Sequence, residues 1–119
     1  MQEFEVIFYD LPNGEEPAKE FLEGLDLKMQ AKMIRTIELL QKNGTALRMP
    51  YSEHLDDGIF ELRSKVGSDI SRVLYFFFVG RKIILTNGFI KKTQKTPPGE
   101  IEKAKAYRKE YTNRKENQK

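Results

Sequence analysis

The sequence predicts an α+β fold with the element order β-α-α-β-β-β-α. Three observations support this prediction. Residues 3–10, EFEVIFYD, alternate between apolar and polar side chains, which is typical of a strand. Residues 17–43 carry apolar side chains at helical spacing. Between residues 59 and 92, three strand-like segments are separated by short glycine-containing turns, which predicts an antiparallel meander.

The two central helices have clear predicted ends. The first covers PAKEFLEGL and ends at Gly24, and Asp26 is placed to cap the second. Asn43-Gly44 ends the second helix, and TALRMPYSEHLDDG is expected to be an irregular connection. The residues expected to bury the second helix are Leu27, Ala31, Ile34, Ile37 and Leu40.

The meander is predicted to contain strands 59–66, 69–79 and 82–92, and a final helix begins at Thr96-Pro97-Pro98 because proline suits the first helical turn. The helical hairpin is expected to cover one face of the sheet. Alternation then directs Phe60, Leu62 and Val66 to that core, while the other face displays Glu61, Arg63 and Lys65. On the last strand, alternation places Ile84, Ile90 and Lys92 on one face.

Length and composition predict a single domain over residues 1–111, followed by a basic tail, 112–119, that is expected to fray. No apolar run approaches the roughly 18 residues of a membrane span. The first residues lack the layout of a signal peptide. We therefore expect a cytoplasmic location and no membrane partner.

The sequence lacks the residues that several kinds of catalytic site require. It has no cysteine, one histidine (His54) and no glycine-rich phosphate loop. Asp56-Asp57 precede a glycine and are interpreted as turn residues. We expect neither a metal site nor a cofactor.

Positive charge is concentrated towards the end of the chain. Residues 91–119 hold 10 Lys and Arg against 4 Asp and Glu, whereas residues 1–90 hold 11 against 14, which together give the net charge of +3. This asymmetry predicts an anionic partner. The candidate site residues are Arg63, Arg72, Lys91 and Lys92, which three adjacent strands could bring together to bind phosphate.

Each of these residues has a plainer interpretation. Arg72 either lies at the mouth of a groove or forms a structural ion pair, for instance with Glu61. Arg63, taken alone, would be interpreted as an ordinary surface residue. Lys91 and Lys92 are adjacent on a strand and point to opposite faces, so only one of them joins the arginines directly. His54 is either an acid–base group or an ordinary loop histidine. Tyr51 could stack on a base, whereas Tyr75 is better explained by core packing.

RNA cleavage by the substrate's own 2′-hydroxyl is one phosphate reaction that cations alone can support. The protein then supplies orientation, stabilisation of the pentacoordinate phosphate and modest acid–base help. A lysine acting as base needs its pKa lowered from about 10.4 towards 7, and crowding by other cations acts in that direction.

Three segments carry a family resemblance: LDDGIFELRSKV, RVLYFFFVGRKIIL and GFIKKTQKTPPGEIEKAK. Together they resemble the HigB-like, phage-derived branch of the RelE/ParE toxin superfamily over residues 55–107. Residues 1–54 resemble it in layout only. The resemblance implies a RelE-like fold: an antiparallel sheet with a helical hairpin on one face and a C-terminal helix.

The resemblance also implies a function. The chain would be the toxin of a type II toxin–antitoxin system, an mRNA interferase that cleaves mRNA on the ribosome and is held by a helix-turn-helix, HigA-like antitoxin. It implies catalytic roles for Arg63, Arg72, Lys91 and Lys92. Lys65, Thr93, Gln94, Lys95, Tyr51 and His54 are the residues expected to bind RNA. Where many relatives carry a histidine before the Gly-Phe of the last strand, this sequence has Asn87, which cannot titrate.

Two other functions are compatible with the same fold. One is a non-catalytic, ParE-like gyrase inhibitor, which the retained Arg63, Arg72 and lysine pair argue against. The other is an RNA-binding module whose basic face binds without cutting.

Overall fold

The computed structural model describes residues 3–91 and 95–117, with Lys91 described in its backbone only. Within these residues, three α-helices and a short 3₁₀ helix (Gly44–Ala46) accompany one five-stranded sheet. The elements in chain order are β1 (Glu5–Phe8), α1 (Pro17–Glu23), α2 (Leu27–Asn43), β2 (Ser52–Asp56), β3 (Ile59–Val66), β4 (Asp69–Phe78), β5 (Lys82–Lys91) and α3 (Pro98–Glu116). The predicted α+β class is confirmed, with one strand added.

The added strand is β2, which lies in the segment expected to be irregular. It pairs antiparallel with β3 and forms one edge of the sheet. Its sequence, SEHLD, has a single apolar residue. The strand is held by backbone pairing rather than by an apolar face, so hydrophobic alternation could not reveal it.

The strand order is β1-β5-β4-β3-β2. The pairs β3–β4 and β4–β5 are antiparallel, as expected of the meander, and β2–β3 is antiparallel too, whereas β1 pairs with β5 in parallel. The chain between β1 and the rest of the sheet contains α1 and α2, the kind of long crossover that a parallel connection requires.

Helices cover both faces of the sheet. On one face, here called the α2 face, Leu22, Met29, Met33 and Leu40 pack against strand residues such as Leu62 and Tyr75. On the other, the α3 face, Ala104 and Tyr111 of α3 pack against Leu74, Phe76 and Ile84. The expectation of a sheet face open to solvent is therefore wrong, because α3 packs on that face and Glu61 is completely buried beneath it.

The ends of α1 and α2 match their sequence signals. Gly24 caps α1, and the Asp26 side chain accepts a hydrogen bond from the Met29 backbone at the start of α2. The predicted apolar stripe of α2 is confirmed at its C-terminal end, where Leu40 is buried and Ile37 packs against the core, and is wrong at its start, since Leu27 is 82% exposed and Ile34 is 42% exposed. The other buried residues of α2 are Met29, Met33 and Thr36, whose hydroxyl bonds with Ser64 and the Lys32 carbonyl.

A β-bulge in β5 changes which side chains share a face. Leu74 of β4 pairs with Asn87, whereas Tyr75 pairs with Leu85, so Thr86 is the additional residue. The Thr86 hydroxyl donates to the Leu74 carbonyl at 3.1 Å. Ile84 therefore packs on the α3 face. Ile90 lies on the α2 face, because it pairs with Ser71, Ser71 pairs with Ser64, and the Ser64 side chain contacts Met33 of α2. Ile84 and Ile90 do not share a face as strict alternation predicted.

Gly88 leaves space for Phe21 of α1 against β5. A Cβ at this position would lie 2.2 Å from the Phe21 ring, a contact that requires the ring or the strand to move. We expect Gly88→Ala to lower the free energy of unfolding by about 1–3 kcal/mol, the usual cost of overpacking. Urea denaturation would measure this change. Gly99→Ala is the matched control, since its Cβ would meet no atom within 4 Å, and equal stability of the two variants would contradict the prediction.

The C-terminal helix extends further than the sequence indicated. Residues 112–116, expected to belong to a frayed tail, are part of α3. Arg114 donates to the Asp10 backbone carbonyl at 2.7 Å and to Glu110 at 3.0 Å, and Tyr9 donates to the same Glu110 at 2.7 Å. The contacts of Tyr9 with Glu110 and of Arg114 with Asp10 hold the last turns of α3 against the segment after β1.

Candidate active site

Two arginines lie side by side on the α3 face of the sheet. Arg63 of β3 pairs in register with Arg72 of β4, and Arg72 pairs with Phe89 of β5. Residues directly opposite each other in an antiparallel pair have their side chains on the same face. The structure thus brings together the two arginines that were predicted to converge.

A buried carboxylate, that of Glu61, holds both arginines. Glu61 has 0% exposure and precedes Arg63 by two residues, so both face α3. Its oxygens accept hydrogen bonds from Arg63 Nε at 2.7 Å and from Arg72 Nη1 at 3.0 Å. The hydroxyl of Thr96 also donates to Glu61. One side chain therefore connects β3, β4 and the segment leading into α3.

The surroundings of Glu61 keep it ionised. Burial alone would raise the pKa of this carboxyl, but the hydrogen bonds from Thr96, Arg63 and Arg72 outweigh burial and hold its pKa below the usual range. A carboxyl whose folded pKa is depressed contributes stability at neutral pH that is lost as the pH falls through that pKa. The ion cluster is thus intact at neutral pH.

Arg63 is the more accessible of the two arginines. Its side chain is 21% exposed. The Nε atom is fixed by Glu61, whereas Nη2 contacts the Glu53 carboxylate at 3.0 and 3.2 Å and Nη1 contacts the sulfur of Met49 at 3.4 Å. Because Glu53 is itself 37% exposed, solvent screens its pair with Arg63.

Arg72 is buried. It is 2% exposed and paired with Glu61, so it has the structural ion pair that the sequence left as one of its two alternatives. Both arginines donate to the carboxylate of Glu61, so Arg72 influences the position of Arg63 through Glu61. Its charge lets Glu61 remain ionised in the interior.

The lysines expected at the site are described only in part. The backbone of Lys91 pairs with Ile70, which on its other side pairs with Lys65 of β3. Lys95 is exposed, one residue before Thr96. Lys92, Thr93, Gln94 and the side chain of Lys91 lie outside the described residues, so the roles expected for them stay predictions.

A cleft of about 270 Å³ lies beside β3 where the short edge strand β2 no longer covers it. Tyr51, Arg63 and Lys65 line it, together with Lys32 and Thr36 of α2. Tyr51 is 43% exposed and its backbone carbonyl accepts a hydrogen bond from the Arg63 amide. Three of the residues predicted to bind RNA or act on it therefore share one cleft.

His54 lies apart from the arginines. It pairs in register with Phe60, which belongs to the α2 face, and its ring contacts that of Phe60 at 5.0 Å between centroids. Its Nε2 atom accepts a hydrogen bond from the Gly58 amide at 3.1 Å, as in an ordinary turn. The structure does not bring His54 together with Arg63 and Arg72.

Two further polar residues occupy structural positions. Asn87, 3% exposed, donates to the Glu100 carboxylate at 3.0 Å and so ties β5 to the first turn of α3. Tyr75 is buried on the α2 face, as its interpretation as a core residue predicted, with its hydroxyl against Ser52. Burial raises the pKa of Tyr75 to about 12, which keeps the phenol neutral.

Within residues 3–91 and 95–117, no group of three His, Asp or Glu side chains is arranged to hold a metal ion. Over the same residues, no helix is long and apolar enough to cross a membrane.

Sequence reasoning assigned no functional role to Glu61 and did not identify Glu53 as a partner of Arg63. The signal for Glu61 was present, because residues two apart on a strand share a face and the turn between β3 and β4 sets Arg72 opposite Arg63. Glu53 could not be placed without knowing that β2 is a strand.

The model of a protein family described as "Phage derived protein Gp49-like (DUF891)" matches residues 20–109, which is 90 of the 119 residues. The chain belongs to the Gp49-like family. This family lies within the RelE/ParE-like toxin superfamily, and the five-stranded sheet with its C-terminal helix is consistent with the RelE-like fold. The match spans α2 and the whole arginine cluster. A search of curated proteins finds no match.

Membership of the Gp49-like family places the chain among toxin-like proteins. This membership suggests that the chain has an antitoxin partner. The coarser part of the resemblance, to the RelE/ParE superfamily, is confirmed. The HigB-like branch stays a prediction.

Proposed function

We propose that the chain is a HigB-like mRNA interferase, the toxin of a type II toxin–antitoxin pair, and that it cleaves mRNA on the ribosome without a metal ion. The observation that carries this proposal is the arrangement of Arg63. Its Nε is anchored by a buried carboxylate, whereas the partners that the described residues offer its outer nitrogens, Met49 and Glu53, are both exposed to solvent. A pre-oriented, permanently charged guanidinium is well suited to the oxygens of a phosphate.

In the proposed reaction, the 2′-oxygen of the RNA attacks the adjacent phosphorus and the bond from phosphorus to the 5′-oxygen breaks. The products are a 2′,3′-cyclic phosphate and a 5′-hydroxyl. Negative charge accumulates on the phosphate oxygens in the transition state, where Arg63 stabilises it. Lys91 and Lys92 are the proposed acid–base groups, one taking the proton of the 2′-hydroxyl and one supplying a proton to the leaving 5′-oxygen.

The proposed roles of the remaining residues follow their positions. Arg72 acts as a positioning residue through Glu61. Thr96 ties the start of α3 to the same carboxylate. Tyr51 and Lys65 hold the RNA in the cleft beside β3, and Lys95 adds a phosphate contact.

Expression of the chain alone should arrest bacterial growth, and co-expression of a helix-turn-helix, HigA-like antitoxin from the neighbouring gene should relieve the arrest. The physical reason is that cleavage of mRNA in the ribosome stops translation in every growing cell. Growth curves and primer extension on cellular mRNA would measure both effects. A gyrase inhibitor would instead arrest growth with intact mRNA, and an RNA-binding module would leave no cleavage ends. Normal growth at high levels of folded protein would contradict the toxin proposal.

A further inference from the structure

The surface of α2 beside the candidate site is strongly asymmetric in charge. This helix has four cationic residues: Lys28, Lys32, Arg35 and Lys42. At 100° per residue they fall within one arc of about 80°, between the most solvent-exposed side of the helix and its buried stripe. Leu27 and Ile34, the exposed apolar residues, lie outside this arc.

These cations line neighbouring depressions that share lining residues. Lys28, Lys32 and Arg35 border one depression with Lys65, and Lys32, Arg35 and Lys42 border a second with Tyr51. Lys32 and Tyr51 also line the cleft that Arg63 lines, so Lys32 borders all three depressions. We call this surface the α2 groove, defined by Lys28, Lys32, Arg35, Lys42, Lys65 and Tyr51. Glu38 also borders it.

The dimensions of the α2 groove fit a polynucleotide. Lys28 and Lys42 are fourteen residues apart, which corresponds to about 21 Å along a helix. A stacked strand has one phosphate per about 3.4 Å and an extended strand has fewer, so the groove spans on the order of four to six phosphates. Tyr51, exposed at the junction with the arginine cleft, offers a ring on which a base can stack.

We propose that the α2 groove binds the phosphate backbone of a single RNA strand on one side of the cleavage position. This inference rests on the proposed function, because it extends the same RNA away from Arg63. An acidic protein segment is the alternative occupant. It is disfavoured because the apolar residues that such a segment would cover, Leu27 and Ile34, lie outside the cationic arc.

Fluorescence anisotropy with cleavage-resistant RNA tests the proposal without requiring activity. The probes are a 4-mer and a 12-mer of the same sequence, each with a 2′-deoxy group at the cleavage position. The variant is K28Q/K32Q/R35Q. The matched control is K19Q/K82Q/K109Q, which removes the same charge from positions outside the α2 groove.

Each lost phosphate contact should reduce the slope of log affinity against log salt by about 0.7 for a single strand, so the groove variant should bind the 12-mer with a slope shallower by about 2. Its affinity for the 12-mer near 0.1 M salt should fall at least tenfold, while the 4-mer should lose less than threefold. The control should lose less than threefold on both.

An unchanged slope for the groove variant, an equal loss in the control, or an equal loss on both RNA lengths would overturn the proposal. A poly-glutamate peptide serves as the third probe. If the groove variant lost peptide binding but kept RNA binding, the groove would be assigned to an acidic protein segment instead. Failure of wild-type protein to cleave mRNA on ribosomes would refute the nuclease and leave this binding result standing.

Discussion

Glu61→Ala is expected to lower the free energy of unfolding by about 3–5 kcal/mol, the range measured when one partner of a buried ion pair is removed. The substitution leaves the guanidinium of Arg72 in the interior without the carboxylate that it contacts at 3.0 Å. It also removes the acceptor for Thr96 and for Arg63 Nε. Chemical denaturation of purified protein measures the change.

Two further variants identify the cause of this loss. Glu53→Ala removes the half-exposed partner of Arg63 and should cost at most about 1 kcal/mol. The double variant E61L/R72M replaces both members of the buried pair by apolar residues and should recover much of the stability lost in Glu61→Ala. If the double variant were no more stable than the single one, removal of the Glu61 carboxylate from Arg72 could not be the reason for the loss.

Arg63→Ala is expected to reduce the cleavage rate at saturating substrate by about 10²–10³, the typical loss when a donor directed at developing negative charge is removed. The fold should survive, because Glu61 keeps its contacts with Arg72 and Thr96. Single-turnover cleavage on ribosomes programmed with a defined mRNA measures the rate. Lys109→Ala, at an exposed position on α3, is the control.

Arg63→Lys distinguishes geometry from charge. Lysine keeps the positive charge but loses the planar fork and the Nε contact with Glu61. We expect the lysine variant to recover only part of the lost rate. Equal rates for Arg63→Ala and Lys109→Ala would show that Arg63 does not act on the transition state.

The sequence was sufficient for the elements whose patterns are local. The Asp26 cap, the Gly24 stop, the proline start of α3 and the pairing of β3 with β4 all follow from short-range signals, and all are present. The convergence of Arg63 with Arg72 follows from that pairing. For the same reason Glu61 was predictable as a partner of Arg72.

The predictions were wrong where tertiary packing, rather than local sequence, determines which side chains are buried. Leu40 was predicted to be buried in α2 and is, but the sheet buries Met29, Met33 and Thr36 rather than the more apolar Leu27 and Ile34, which also have helical spacing. The bulge at Thr86 reverses the alternation of β5 through one inserted residue, which no sequence period records. The position of α3 over Glu61 turned an expected open face into a buried ion cluster, because local signals do not specify which face a terminal helix covers.

The most direct test of the central claim uses wild-type protein and programmed ribosomes with two mRNAs that differ only in the 2′ group at the mapped cleavage position. We expect cleavage of the mRNA with a 2′-hydroxyl, with a 2′,3′-cyclic phosphate on the upstream product and a 5′-hydroxyl on the downstream product. We expect no cleavage of the 2′-deoxy mRNA, because the attacking oxygen is missing. Cleavage of both mRNAs at that position, or of neither, would contradict the proposed nuclease mechanism.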